Sequence, residues 1–193
     1  MSDLRPWTCA ALLGSLWGAA EVSLGAVLSA ARVPFAGVIM GTVGVLCLLT
    51  ARRLFPAPGT SLAMGVVVAF LKVFSAGGLV VGPVVGILAQ ATAVELTMTA
   101  SRSTAVGAVV GGALALALAP LQRAITLTLV AGLEGTAALD SALRALASSL
   151  GWRGGSLLHM LAGLVGTAAI LGAIVGALSW RVAGRVRQRL RGP

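Results

Sequence analysis

Few side chains in this 193-residue sequence can do chemistry, and the ones that can stand in apolar surroundings: Glu21, Lys72, Gln90, Gln122, Arg123 and His159 lie inside or at the ends of long apolar runs. A charge within a membrane-spanning helix costs ~2.5 kcal/mol or more at the helix centre, so each is a functional candidate by default. Opposite charges brought to one layer of a bundle can hold a small polar solute in a cavity. The same residues also have structural readings. Glu21 and Lys72 can close on each other as a buried ion pair, Arg123 can snorkel to the interface, and His159 can serve as a hydrogen-bond partner between helices.

Other chemistries have few residues to work with. One His and two cysteines, Cys9 and Cys47, placed towards the opposite end of their segments, give no metal-ligand set. The chain lacks H-E-x-x-H, G-x-S-x-G and a phosphate-binding G-x-x-x-x-G-K-[ST] loop. With one His, one Lys and no Tyr, general acids and bases are nearly absent. The reading is therefore no enzyme, no bound cofactor and no metal, and any ATP-driven step would need a separate subunit.

The elements that must position these residues are membrane helices. Hydrophobic residues make up 58% of the chain and charged ones 10%, with a mean hydropathy of +1.02, whereas a soluble domain carries about a quarter charged residues. Since one span takes roughly 20 residues, the length suits six spans with short loops and no second domain. Residues 7–28, 35–50, 61–74, 79–99, 104–130 and 155–179 are the expected spans. The loop at 51–60, with Pro56, Pro58 and Arg52-Arg53, excludes a helix crossing it. Leu139, Leu143, Leu146 and Leu150 repeat at helical spacing, with Asp140 and Arg144 one turn apart, which predicts a short amphipathic helix at the membrane surface. The fold class is an all-α integral membrane protein, a compact six-helix bundle plus that interfacial helix.

The formal net charge of +9 follows the membrane rather than nucleic acid. Arg181, Arg185, Arg187, Arg189 and Arg191 fall in residues 181–193, after an apolar helix and Trp180, as a cytoplasmic tail does. Placing both termini in the cytoplasm puts nine of the 14 basic residues inside, including Arg5, Arg52, Arg53 and Arg102. The expected location is the inner (plasma) membrane. In that orientation Glu21, Lys72, Gln122, Arg123 and His159 share the outer layer of the bundle, and Gln90, on the face of Gly82 and Gly86, reaches its floor. Glu95 points away from that face and lies nearer the cytoplasm, where Arg102, a partner subunit or the headgroups could meet it.

The first span carries two small-residue stripes. At 100° per residue, Ala10, Gly14, Gly18, Glu21 and Gly25 fall within about 80° of arc, and Ala11, Ser15 and Ala19 run beside them. Two smooth stripes allow two helices to approach closely, one from the bundle and one from a membrane partner; internal packing alone is the other reading.

The first-helix run Ala11-Leu-Leu-Gly-Ser15-Leu-Trp-Gly-Ala19, the Gly-rich link Ser75-Ala-Gly-Gly78 with Val81-Gly-Pro83, and the arginine tail together resemble the substrate-binding S component of an energy-coupling factor (ECF) transporter. The resemblance implies a subunit that holds a vitamin-like solute near the extracellular face and engages a T component and ATPase subunits. It implies that Ala11, Ser15 and Ala19 form the engaging stripe, with Ala10 and Gly14 as the alternative register. The metal branch of that family uses an N-terminal His, and this chain begins Met1-Ser2-Asp3, which disfavours cobalt or nickel. A structural or assembly subunit with no small-molecule ligand is the alternative. A secondary transporter built on an inverted repeat is a third option, from the loosely similar placement of Trp17 to Glu21 and Gln90 to Glu95 in the two halves.

Overall fold

The computed structural model describes residues 4–31, 36–75, 81–149 and 156–190. They form six helices: α1 (Leu4–Ala30), α2 (Ala36–Leu54), α3 (Thr60–Ser75), α4 (Val81–Ala100), α5 (Ala105–Ser149) and α6 (Leu157–Leu190), with no strand among the described residues. Five contain stretches long and apolar enough to cross a bilayer, and α3 contributes a shorter apolar segment, Thr60–Phe74. The chain is an all-α, multi-pass membrane bundle. Breaks fall where residue chemistry requires them. The Pro56-Ala-Pro-Gly segment separates α2 from α3, and Pro83 is tolerated because it lies in the first turn of α4. The Gly77-Gly78 link lies outside the described residues.

The helices do not pack in a simple ring. α2 is central and touches all five others, whereas α1 packs only on α2 and α3, and α6 only on α2 and α5. The core accordingly gathers Leu48 and Leu49 of α2 with Trp17, Met64, Val68, Val94, Met98 and Leu116 from four neighbours. Gly41 and Gly44 make the notches in α2 that admit this packing. A Cβ on Gly44 would stand 2.7 Å from the Trp17 ring, and one on Gly41 would stand 2.8 Å from the Leu116 methyl and collide with the Gln90 amide.

The tightest helix pair is α5 with α6. A Cβ on Gly112 would collide with the Gly172 carbonyl oxygen, one on Gly172 with the Gly112 carbonyl, and one on Gly176 with the Ala108 carbonyl. Backbone meets backbone here through Gly172-x-x-x-Gly176. In lipid, where apolar burial between helices gains little, close packing of this kind drives association.

Two segments bear on the sequence expectation. α5 passes Pro120 without a break, in keeping with a fifth span over 104–130, and turns at Gly132, whose φ of 53° and ψ of −131° suit glycine alone. The chain then folds back as a second helical arm, in which Leu143 is buried against Met160 beside Leu161 and Leu164. This arm is the amphipathic helix read from the leucine spacing. The side chains of Leu139, Leu146 and Leu150 lie outside the described residues, and Asp140 and Arg144 pair at 2.7 Å on its exposed side. That bond and the Asp140 charge raise the Arg144 pKa above its ordinary value. The second segment is residues 181–193. Arg181 to Arg189 continue α6 as a helix past the expected end of the last span at 179, and Arg191 lies outside the described residues. Ala183 is buried and Arg53 of α2 lies over the Trp180 ring at 3.7 Å, so packing against α2 carries the helix onward.

Candidate functional site

Glu21 and Lys72 are brought together. Lys72 Nζ lies 3.5 Å from Glu21 Oε2 and donates to the Glu21 backbone carbonyl at 2.9 Å. The contact follows from α1 lying along α3: Gly14 sits against Met64 and Val67 and Gly18 against Leu71, so the next turn of α1 reaches Lys72. A Cβ on Gly25 would stand 3.1 Å from Lys72 Nζ and 3.6 Å from both Glu21 Oε2 and Met40 Sδ. The absent side chain at Gly25 gives the ammonium its place.

One turn before Glu21, Trp17 is fully buried, with its indole N–H beside the Glu21 carboxylate. Gln90 of α4, also buried, lies against the same α2 notches, with Oε1 3.2 Å from where a Cβ on Gly44 would be. Trp17, Glu21, Lys72 and Gln90 thus place an indole donor, a carboxylate, an ammonium and an amide in the interior of α1 to α4. Apolar surroundings strengthen each interaction and make an unpaired group costly.

The remaining expected site residues go elsewhere. Gln122 donates from Nε2 to the Gly82 carbonyl at 2.6 Å and to Thr126 Oγ1 at 3.4 Å, tying α5 to the start of α4. Arg123 is exposed on the next position of α5. His159 is exposed too, with Nδ1 2.7 Å from Ser156 Oγ in a cap-like contact at the start of α6, a helix that touches neither α1 nor α3. Among the described residues no three His, Cys, Asp or Glu side chains gather as a metal would need.

The two α1 stripes face different ways. Gly14 and Gly18 are buried against α3, while Ala11, Ser15 and Ala19 are exposed among the described residues.

A second polar cluster, at the opposite end of the bundle, centres on Glu95, which meets Arg52 rather than Arg102. Glu95 Oε1 accepts from the Gly59 amide at 2.7 Å and Thr99 Oγ1 at 3.0 Å, and Oε2 accepts from the Ser61 amide at 3.0 Å. Arg52 Nη1 lies 3.6 Å from Oε1, and the same guanidinium donates to Thr99 Oγ1 at 3.0 Å and to the Ala57 carbonyl. One carboxylate therefore caps the first amides of α3 from a neighbouring helix, and one arginine clamps the loop beneath it. The sequence held one pointer to this cluster: Arg52 stands one helical turn before a Pro-x-Pro-Gly turn whose amides need an acceptor.

Compared with known protein families, curated proteins and solved structures, the chain matches none.

Proposed function

We propose that this chain is the membrane-embedded solute-binding subunit of an ECF-type, ATP-driven uptake transporter. It sits in the plasma membrane with both termini in the cytoplasm and takes a small vitamin-like solute from the outer side. The observation that carries the reading is the two-sidedness of α1. Its inward face holds Glu21 beside Lys72 above Trp17, and its outward face leaves Ala11, Ser15 and Ala19 exposed among the described residues. A carboxylate, an ammonium and an indole N–H can orient a polar solute, and a row of small residues lets a T component's helix approach closely.

The runner-up, a structural subunit without a ligand, is favoured by one feature. Glu21 and Lys72 already bond to each other, as a pair closing the bundle would. The two readings separate by experiment. Native mass spectrometry of the protein purified from its own cells should show a retained small molecule together with T and ATPase subunits. Replacing Glu21 by Gln and Lys72 by Met together removes both charges at similar volume, so the fold should persist while the small molecule is lost. Changing Ala11, Ser15 or Ala19 to Leu should leave that molecule bound and remove the partner subunits. If the double variant retains the same mass adduct as the parent, the pair is structural and the transporter reading fails.

A further inference from the structure

The end of the bundle that holds Glu95 carries an imbalance of charge. Arg52, Arg53, Arg102, Arg181, Arg185, Arg187 and Arg189 belong to it, and Glu95 is the sole acidic residue among the described residues there; Glu21, Glu134 and Asp140 lie towards the other end. Glu95 is moreover saturated by two amides, a hydroxyl and Arg52. Among the described residues no other acidic side chain at that end meets the remaining arginines.

One place is shaped to receive an anion. A cavity of about 220 Å³ opens between the α2–α3 and α4–α5 loops, lined by Pro56, Pro58, Thr99, Arg102 and Ser103, with Arg52 and Met98 buried beneath it. Arg52 is 1% exposed and its Nε–H is buried without a partner. The end of α4 reinforces the point. Ser103 N bonds to Met98 O at 2.7 Å and Arg102 N to Thr99 O at 3.1 Å, a helix-ending motif whose left-handed position normally falls to glycine. Here that position is Arg102, at φ 53°, and Ser103 follows at φ 57°. Two successive side-chain-bearing residues are held in a disfavoured conformation, one of them an arginine lining the cavity; backbone strain of this kind concentrates at ligand sites.

We propose that this cavity binds a phosphate group carried by an anionic lipid, gripped by Arg102 and the Ser103 hydroxyl. Arg52 and Arg102 stand at the ends of apolar spans, Ala36–Leu54 and Gly82–Ala100, which sets the cavity at the depth of lipid headgroups. The exposed Pro56 and Pro58 beside them suit the glycerol and first acyl carbons rather than a bare anion. The inference does not depend on what the Glu21 end binds.

The test is native mass spectrometry of the full chain in detergent, titrated with phosphatidylglycerol, phosphatidylcholine or inorganic phosphate. The parent should take one phosphatidylglycerol in preference to phosphatidylcholine. Arg102→Gly should lower that occupancy about fivefold or more, the factor equivalent to one interfacial arginine. Because glycine suits the left-handed position, the same variant should melt no lower than the parent in lipid-free detergent, which separates loss of ligand from loss of fold. Arg123→Gln, an equal loss of charge at the other end, should leave occupancy unchanged. Equal losses in the two variants, or equal uptake of phosphatidylcholine, would overturn the site. Arg102-dependent uptake of inorganic phosphate without lipid would overturn the lipid assignment and give the cavity to the free anion.

Discussion

Replacing Glu95 by Gln changes no volume and removes one charge, yet it should be among the most damaging single substitutions in the chain. Three donors converge on the carboxylate, at 2.7, 3.0 and 3.0 Å, and two of them are the backbone amides of Gly59 and Ser61. Glutamine offers one carbonyl oxygen where two carboxylate oxygens stood, and its NH₂ would face an amide that is itself a donor. A hydrogen bond to a charged group contributes about 1.5–3 kcal/mol, and one such bond is lost or reversed. The larger part comes from Arg52, which is 1% exposed and would keep its charge without a counter-charge. Breaking a buried pair in this way costs about 3–5 kcal/mol. The whole effect should therefore be about 3–5 kcal/mol, since the two contributions overlap. Reversible unfolding in mixed micelles can measure it, in a cycle with Arg52→Met and the double variant. Removing both partners should recover at least about 1 kcal/mol of the summed single losses. A cost below about 1 kcal/mol for Glu95→Gln, or strict additivity in the cycle, would show that the cluster does not hold the α2–α3 loop to α4.

Gly112→Ala should lower the melting temperature in detergent, because its methyl meets the Gly172 carbonyl and the helices must separate; overpacking costs about 1–3 kcal/mol. Gly132→Ala places a side chain at φ 53°, ψ −131° and should cost about 1–3 kcal/mol, with limited proteolysis reporting release of the arm beyond it. Arg53→Met should remove the contact over Trp180, at a cost of about 1 kcal/mol. In a background retaining only Trp180, the emission maximum should shift on that substitution and not on Arg123→Gln.

Span positions were readable because hydropathy and proline breaks act locally: Pro56 and Pro58 end one crossing whatever the tertiary structure does. The end of the fifth span near 130 was legible too, but not the turn that makes it. Pro120 is the residue that ordinarily disturbs a helix, yet an α-helix can pass a proline at the loss of one hydrogen bond, while the turn at Gly132 depends on one glycine among many. The Gly172-x-x-x-Gly176 crossing was present in the sequence but indistinct in a chain with 26 glycines. Of the expected site residues, Glu21, Lys72 and Gln90 share the α1 to α4 interior because their faces follow from helical spacing. Gln122, Arg123 and His159 could be assigned a depth but not a direction, since depth follows from residue count and direction from which neighbours pack. Arg52 and Glu95 are far apart in sequence, so only the tertiary fold could pair them.

The central position of α2 also bears on how the protein is made. Helices enter the membrane in chain order, so α2 arrives when only α1 is there to meet it. Its notch at Gly44 meets Trp17 of α1 at once, but the Gly41 notch waits for Gln90 and Leu116, and Arg53 waits for Trp180, all synthesised later. Until α6 has inserted, the end of α2 lacks Trp180 beside Arg53, and α5 lacks its closest neighbour. The core itself draws almost wholly on α1 to α5. It can therefore close before the last span is made, and α6 completes the bundle from outside by seating Gly172 and Gly176 on α5.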